Sequence, residues 1–287
     1  MLWLVLSLLS AISESSRDLV SKKALENLDE YIVAFSRSFF SLPFLLPFLV
    51  LTGIPSLDVS FWLIVVLMGS LISLAYILYT RAIKMSSLSS TIPMLSFTPV
   101  FLLITSPIMV GESASLLGLV GILFIVFGTY MLSIKDVREG YFAPFKALVK
   151  EKGAQVMLFV AALLSIGANL FKIGIQYGKP LFFATMVYAL ASGLLFLVTL
   201  KKAKISKEAV GRNLRVLLAI GLMNALMELF VMTAMQLAIV PYVISVKRTT
   251  IIFSTLYGYL FLKETRIKER LTGTSIMLLG IFFISCF

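Results

Sequence analysis

Eight ionisable side chains stand where lipid would be their solvent. Glu14, Arg17 and Asp18 interrupt an apolar run over residues 2 to 21, Arg37 one over 31 to 52, and Lys172 one over 154 to 176. Glu228 interrupts a run over 214 to 237, and Lys247 with Arg248 one over 240 to 262. A charge at membrane depth costs about 2.5–3.5 kcal/mol on insertion scales unless it faces protein or water, so each needs a partner or a task. Ser7, Ser10, Glu14, Arg17 and Ser21 follow helical steps of three and four and form one polar stripe, with Asp18 beside it. Ser165, Asn169, Lys172 and Gln176 repeat that spacing, and Asn224 and Glu228 lie four apart. Lys247 and Arg248 are followed by Thr249, Thr250 and Ser254.

Five of the eight are cations (Arg17, Arg37, Lys172, Lys247, Arg248) and three are anions (Glu14, Asp18, Glu228), a surplus of two positive charges. A ligand with a carboxylate or phosphate group would offset it. Arg17, Lys247 and Arg248 are expected to hold that group, Asn169 and Asn224 to orient it, and Tyr76 and Tyr79 to supply walls. Glu14, Lys172 and Glu228 complete the candidate set. Two structural roles compete: ion pairing of Glu14 or Asp18 with Arg17, and snorkelling of Lys172 and Arg37 to the interface. Glu228 either pairs with Arg248 in the empty site or carries a coupling proton, and the sequence leaves both open.

The elements that must position these groups are membrane helices. Hydrophobic residues make up 60% of the 287 positions and charged residues 14%, against about a quarter in soluble domains. Crossing a bilayer takes roughly 20 apolar residues. Such runs lie at 2–21, 31–52, 60–80, 88–110, 116–134, 154–176, 180–200, 214–237, 240–262 and 270–287. They are long and continuous rather than alternating, which predicts an all-α membrane protein of ten transmembrane helices. The first run lacks a basic start and passes straight into Glu14, Arg17 and Asp18, so it is expected to stay as an uncleaved helix. Pro93 and Pro99 are expected to kink the fourth.

With no histidine and one cysteine, Cys286, there is no His/Cys zinc site, Ser-His-Asp triad or internal disulfide. No catalytic residue, metal or cofactor is expected. The string Gly174 to Lys179 lacks phosphate-loop spacing, so transport would be secondary rather than ATP-driven. The net charge of +11 sits mainly in short loops, where it reports orientation rather than nucleic acid.

A constant offset of 152 residues relates Gly69 to Gly221, Ala82 to Ala234, Glu112 to Glu264, Gly121 to Gly273 and Gly128 to Gly280. The chain therefore divides into a five-helix repeat over 1–134, a connecting loop over 135–152 and a second repeat over 153–287. Five is odd, so the second repeat is inverted, and such folds hold their site between the repeats near mid-membrane. The glycine pairs, seven apart on one face, are expected to serve helix packing, and Glu112 and Glu264 to complement the helix that follows each.

Two five-helix halves, a first span ending in lysine, a proline-containing fourth span closing on Gly111-Glu112, and a fifth with spaced glycines resemble the EamA-like permeases of the drug/metabolite transporter superfamily. The run Val246-Lys247-Arg248-Thr249-Thr250 also resembles the Lys-Arg pair that binds phosphate in triose-phosphate translocators, which implies phosphate or carboxylate contact for Lys247 and Arg248. The tryptophan-glycine pair common in the family's first span is absent, with Glu14-Ser15 nearby. The resemblance implies a central cavity, alternating access and export or exchange of small metabolites, with termini often cytoplasmic. The loop charges point the other way. Of 25 Lys and Arg, five lie within spans and Lys179 alone follows an even-numbered span; the other 19 follow odd-numbered spans or edge the next, placing both termini outside.

The expected function is secondary transport of a small polar or anionic metabolite through a cell membrane, with a proton as candidate coupling ion, by a monomer or homodimer. The alternatives are an exporter of neutral or cationic metabolites or drugs, and an intramembrane enzyme acting on lipid through Glu14 or Glu228. The missing histidine removes the commonest base for the latter.

Overall fold

The computed structural model describes residues 1–52, 59–86, 91–133, 151–177, 180–204, 206–262 and 268–285, and among these it is helical with no strand. Glu264, Cys286, Lys179 and nearly all of the connecting loop lie outside the described residues. In chain order the elements are α1 (Leu2–Ala24), α2 (Glu30–Phe39), α3 (Leu42–Thr52) and α4 (Val59–Met85). A 3-10 turn (Ile92–Ser96) leads into α5 (Phe97–Met109), then α6 (Leu116–Ser133), α7 (Lys152–Gln176) and α8 (Pro180–Lys202). The chain continues as α9 (Lys207–Arg212), α10 (Leu214–Leu237), α11 (Val240–Lys247), α12 (Thr250–Leu262) and α13 (Lys268–Ser285).

Four helices, α4, α7, α8 and α10, are each long and apolar enough to cross a bilayer. α1 is as long, but its interior carries Glu14, Arg17 and Asp18. Its polarity runs opposite to that of a soluble helix: Ser7, Ser10, Glu14, Arg17, Asp18 and Ser21 are buried, while Leu2, Val5 and Leu9 are exposed. The same holds elsewhere, with Leu63, Val66, Leu123, Phe127, Leu197 and Phe282 on the surface. Water would penalise such a surface and lipid does not, which makes this a multi-pass membrane protein.

Three expected spans are broken. The second divides into α2 and α3, where the Ser41 hydroxyl donates to the carbonyls of Arg37 (2.6 Å) and Gly221 (3.0 Å). The ninth divides into α11 and α12 around Arg248 and Thr249. The fourth starts as the 3-10 turn, with Pro93 at its start and Pro99 in the first turn of α5, where a missing N–H costs little. The short helix α9, capped by Ser206 on Ala209 N–H, was not expected from the sequence.

The most extensive pairings are α6 with α13, α1 with α10, and α4 with α7. α6 and α13 cross through the predicted glycines. A Cβ on Gly121 would sit 2.7 Å from the Gly280 carbonyl oxygen, one on Gly280 2.6 Å from that of Gly121, and one on Gly128 2.7 Å from that of Gly273. Close backbone approach of this kind is how helices associate in lipid. Gly280→Val is accordingly expected to cost about 2–3 kcal/mol, the upper range for overpacking, because backbone rather than a flexible side chain must yield. Gly193→Ala in α8, where an added Cβ meets nothing within 4 Å, is expected to be neutral or slightly stabilising. Melting of both variants in detergent checks the contrast.

Candidate functional site

α1, α2, α4, α7, α10 and α11 surround a cavity with about 710 Å³ of space not filled by protein atoms, part of it open to the outside. One wall is charged and aromatic: Glu14 and Arg17 of α1, Arg37 of α2, Tyr76 and Tyr79 of α4, Glu228 of α10, and Lys247 and Arg248 at the end of α11. The other is apolar, with Met68, Ile72, Leu164, Phe171, Val231 and Met235.

The α1 stripe points here because three- and four-residue steps keep its side chains on one face, and α10 packs along that face. Asp18, beside the stripe, holds most of the bonds. Its Oδ1 accepts from Arg17 Nη2 at 2.9 Å, Arg17 Nε at 3.1 Å and Arg37 Nη2 at 3.5 Å, and its Oδ2 accepts from the Tyr79 hydroxyl at 2.6 Å. The Arg37 guanidinium lies 4.5 Å from the Tyr79 ring centroid, a cation–π contact. Arg37 therefore does not snorkel; it is 1% exposed and neutralised in place.

Arg17 also donates to Asn224 Oδ1 (3.0 Å), which accepts from the Tyr76 hydroxyl (3.3 Å), and Tyr76 shares a 2.9 Å hydrogen bond with Tyr188. Asn224 Nδ2 donates to Ser41 Oγ at 3.2 Å. Asn224 thus braces Arg17 and Tyr76 from behind the cavity wall. Glu14 lies between Arg17 (3.4 Å), Lys247 (3.7 Å) and the Thr250 hydroxyl (3.1 Å). The break between α11 and α12 puts the last carbonyls of α11 beside Lys247 and Arg248, an end that favours cations. Irregular backbone at this depth is tolerated only where protein or a cavity covers it.

Arg248 stands apart. It is 6% exposed, forms no ion pair among the described residues, and its Nε has no hydrogen-bond partner. Glu228 likewise has no cation among the described residues within ion-pair distance, so the two do not pair with each other. Glu228 lies beside the Tyr188 hydroxyl.

Two expected site residues lie elsewhere. Asn169 Nδ2 donates to Thr105 Oγ1 (2.9 Å) and its Oδ1 accepts from Ser106 (2.6 Å), so its amide ties α7 to α5. Lys172 pairs with Glu112 (3.1 Å) and donates to the carbonyls of Met235 and Ala238. Neither lines the cavity, because the polar stripe of α7 turns toward α5 and its Gly167, Ala168 and Phe171 face inward instead. Of the two equivalent polar stripes only that of α1 lines the cavity, whose charges come from α1, α2, α10 and α11. Among the described residues the fourth span contributes none to the lining and the second contributes Arg37. Glu112 caps a different helix from the one expected. Gly111, at φ +76°, turns the chain so that Glu112 Oε2 accepts from Val240 N–H (2.7 Å) at the start of α11.

The sequence reading left Asp18 outside the candidate set and passed over Tyr188. Asp18 carried a signal, a second carboxylate next to Arg17; Tyr188 carried a weak one, with Thr185 and Ser192 three and four positions away on the same helix face.

Comparison with known proteins places this geometry in context. The EamA-like transporter family matches residues 1–134 and 151–286. An uncharacterized transporter of Archaeoglobus fulgidus is 26% identical over 294 residues, covering 99% of this chain and 98% of that protein. A solved crystal structure with 12% sequence identity superposes with a TM-score of 0.75 over 99% of this chain and 96% of its own, a likeness of fold.

Proposed function

This chain belongs to the EamA-like transporter family, within the drug/metabolite transporter superfamily, and from that premise we propose that it is a secondary transporter for a small anionic metabolite bearing a carboxylate or phosphate. The family and the relative are both transporters, so the chain is a membrane transporter with a small-molecule substrate. The observation behind the anionic substrate is Arg248, a buried guanidinium on the wall of the central cavity that forms no ion pair among the described residues. Around that wall Arg17, Arg37, Lys247 and Arg248 give four positive charges, and Glu14, Asp18 and Glu228 three negative. Lys172 is offset by Glu112, so the surplus falls from two to one.

In this reading Arg248 and Lys247 receive the anion, Arg17 and Asn224 fix the polar wall, Glu14 sets the position of Lys247, and Tyr76 and Tyr79 shape the pocket. Ten spans form two inverted five-helix repeats, 1–134 and 153–287, that rock about the cavity in alternating access, for export or exchange. The helix pairings support this: exchanging equivalent spans turns α1 with α10 into α7 with α4, and leaves α6 with α13 unchanged, as a pseudo-two-fold axis requires. The loop charge count favours both termini outside the cell membrane, and a C-terminal fluorescent fusion that glows in the cytoplasm would sink that orientation.

Thermal-shift screening of carboxylates, sugar phosphates, amines and neutral metabolites identifies the class, since a ligand raises apparent stability by binding the folded state. Purified protein in liposomes is then expected to show counterflow of the best ligand, abolished by Lys247→Ala and by Arg248→Ala. Unchanged flux in both variants excludes the assignment.

A further inference from the structure

Resting on the anionic reading of this site, we propose that Glu228 is a proton-binding group coupled to the substrate: the anion binds at Arg248 and Lys247 together with one proton on the Glu228 carboxylate, and the two cross the membrane together. The three acids of the charged wall are not equivalent. Asp18 accepts from two arginines and a tyrosine, and Glu14 is held by Arg17, Lys247 and Thr250. Glu228 lines the same cavity beside the Tyr188 hydroxyl, and no lysine or arginine among the described residues lies within ion-pair distance of it. The ionisable groups that face it are Tyr188 of α8, Tyr76 of α4, Lys247 of α11, and Arg17 and Glu14 of α1.

An unpaired carboxylate and an unpaired guanidinium in one cavity, too far apart to pair, make an unequal binding partner for an anion. Arg248 attracts it, and Glu228 repels it unless the carboxylate is neutral. Anion binding therefore favours protonation of Glu228, and by linkage protonation favours the anion equally. The step is a single proton transfer from water on the open side to a carboxylate oxygen, reversed when the cavity opens on the other side with the anion leaving. A proton gradient then drives the anion in the direction protons flow.

Benzoate is the probe: it stays ionised from pH 6 to 8, and its ring suits the apolar wall of Ile72, Phe171, Val231 and Met235. Calorimetric titration of detergent-purified protein in two buffers of different ionisation enthalpy counts the protons taken up. The expected result is uptake approaching about one proton per benzoate, with affinity rising up to about tenfold per unit fall in pH. Glu228→Gln is expected to bind benzoate with no proton uptake and no pH dependence, at about the affinity the unaltered protein reaches at its acid limit.

Benzoate binding that needs Arg248 but takes up no proton in the unaltered protein overturns the coupling and leaves the anionic reading standing. Proton uptake that persists in Glu228→Gln moves the proton to another group and overturns the assignment. No benzoate binding at pH 6, or binding that Arg248→Gln leaves intact, overturns the anionic reading and this inference with it.

Discussion

Arg248→Leu is expected to make the empty protein more stable and to remove its affinity for anions. In the structure this guanidinium is buried, lacks a carboxylate, and leaves Nε without an acceptor. Desolvating a charge costs several kcal/mol, and without a carboxylate within ion-pair distance the carbonyl end of α11 and the more distant Glu14 return only part of it. Leucine removes that cost while filling much of the same volume beside Ile244 and Val231. Replacing buried ionic groups by apolar ones of similar size stabilises by about 1–4 kcal/mol in measured cases, and a similar gain is expected here. The loss in binding is larger in consequence: a charge-assisted hydrogen bond is worth about 1.5–3 kcal/mol, so one contact removes roughly ten- to over a hundredfold in affinity. Opposite signs in the two measurements, melting up and anion binding down, identify a group kept for its ligand at the expense of the fold. A fall in both would mean that Arg248 is a structural cation with a partner formed in the membrane, and the anion site would have to move.

How much of this was legible in the chain depends on the range of the interaction. The α1 stripe could be read directly, because steps of three and four against an apolar background report a helix face without reference to anything distant. The glycines of α6 and α13 were legible as packing residues for the same reason, and the family resemblance followed from features spread over the whole chain. What spacing cannot report is which neighbour a face meets. Asn169 shows this: it occupies the position that the stripe of α1 makes polar, yet its partners Thr105 and Ser106 lie on α5, and only the packing of α7 decides that. Asp18 shows the converse. Its partners Arg37 and Tyr79 come from the second and third spans, so its place at the centre of the charge cluster is a tertiary fact. The break at Ser41 was legible too, since Pro43 in the first turn of α3 has no N–H for the Phe39 carbonyl and ends the preceding helix. The break at Arg248–Thr249 contains no proline or glycine; there buried hydroxyls bond backbone carbonyls, and periodicity does not count those groups.

Asp18 is where loss of a single side chain should cost the fold most. Asp18→Ala leaves two guanidinium groups, Arg17 and Arg37, facing each other without the carboxylate that separates them, and leaves the Tyr79 hydroxyl without its acceptor. Breaking a buried pair by deleting one partner typically costs about 3–5 kcal/mol, and here one carboxylate serves two cations. Asp18→Asn keeps an oxygen for the arginines and loses the charge, so it is expected to fall between the alanine variant and the unaltered protein. Unfolding in mixed micelles measures both. Pairing Asp18→Ala with Arg37→Leu tests the cause: if the penalty comes from the stranded cation, the double variant recovers a large share of the stability lost by Asp18→Ala alone. If the two losses simply add, the aspartate acts through its bond to Tyr79, and the cluster is a hydrogen-bond anchor for α4 rather than a charge balance. The first outcome has a consequence for transport. A cluster that pairs Arg17 and Arg37 with Asp18 within the first half leaves Arg248 as the cation of the cavity wall with no carboxylate in ion-pair distance among the described residues, so a substrate is selected chiefly at Arg248 rather than by all four cations equally.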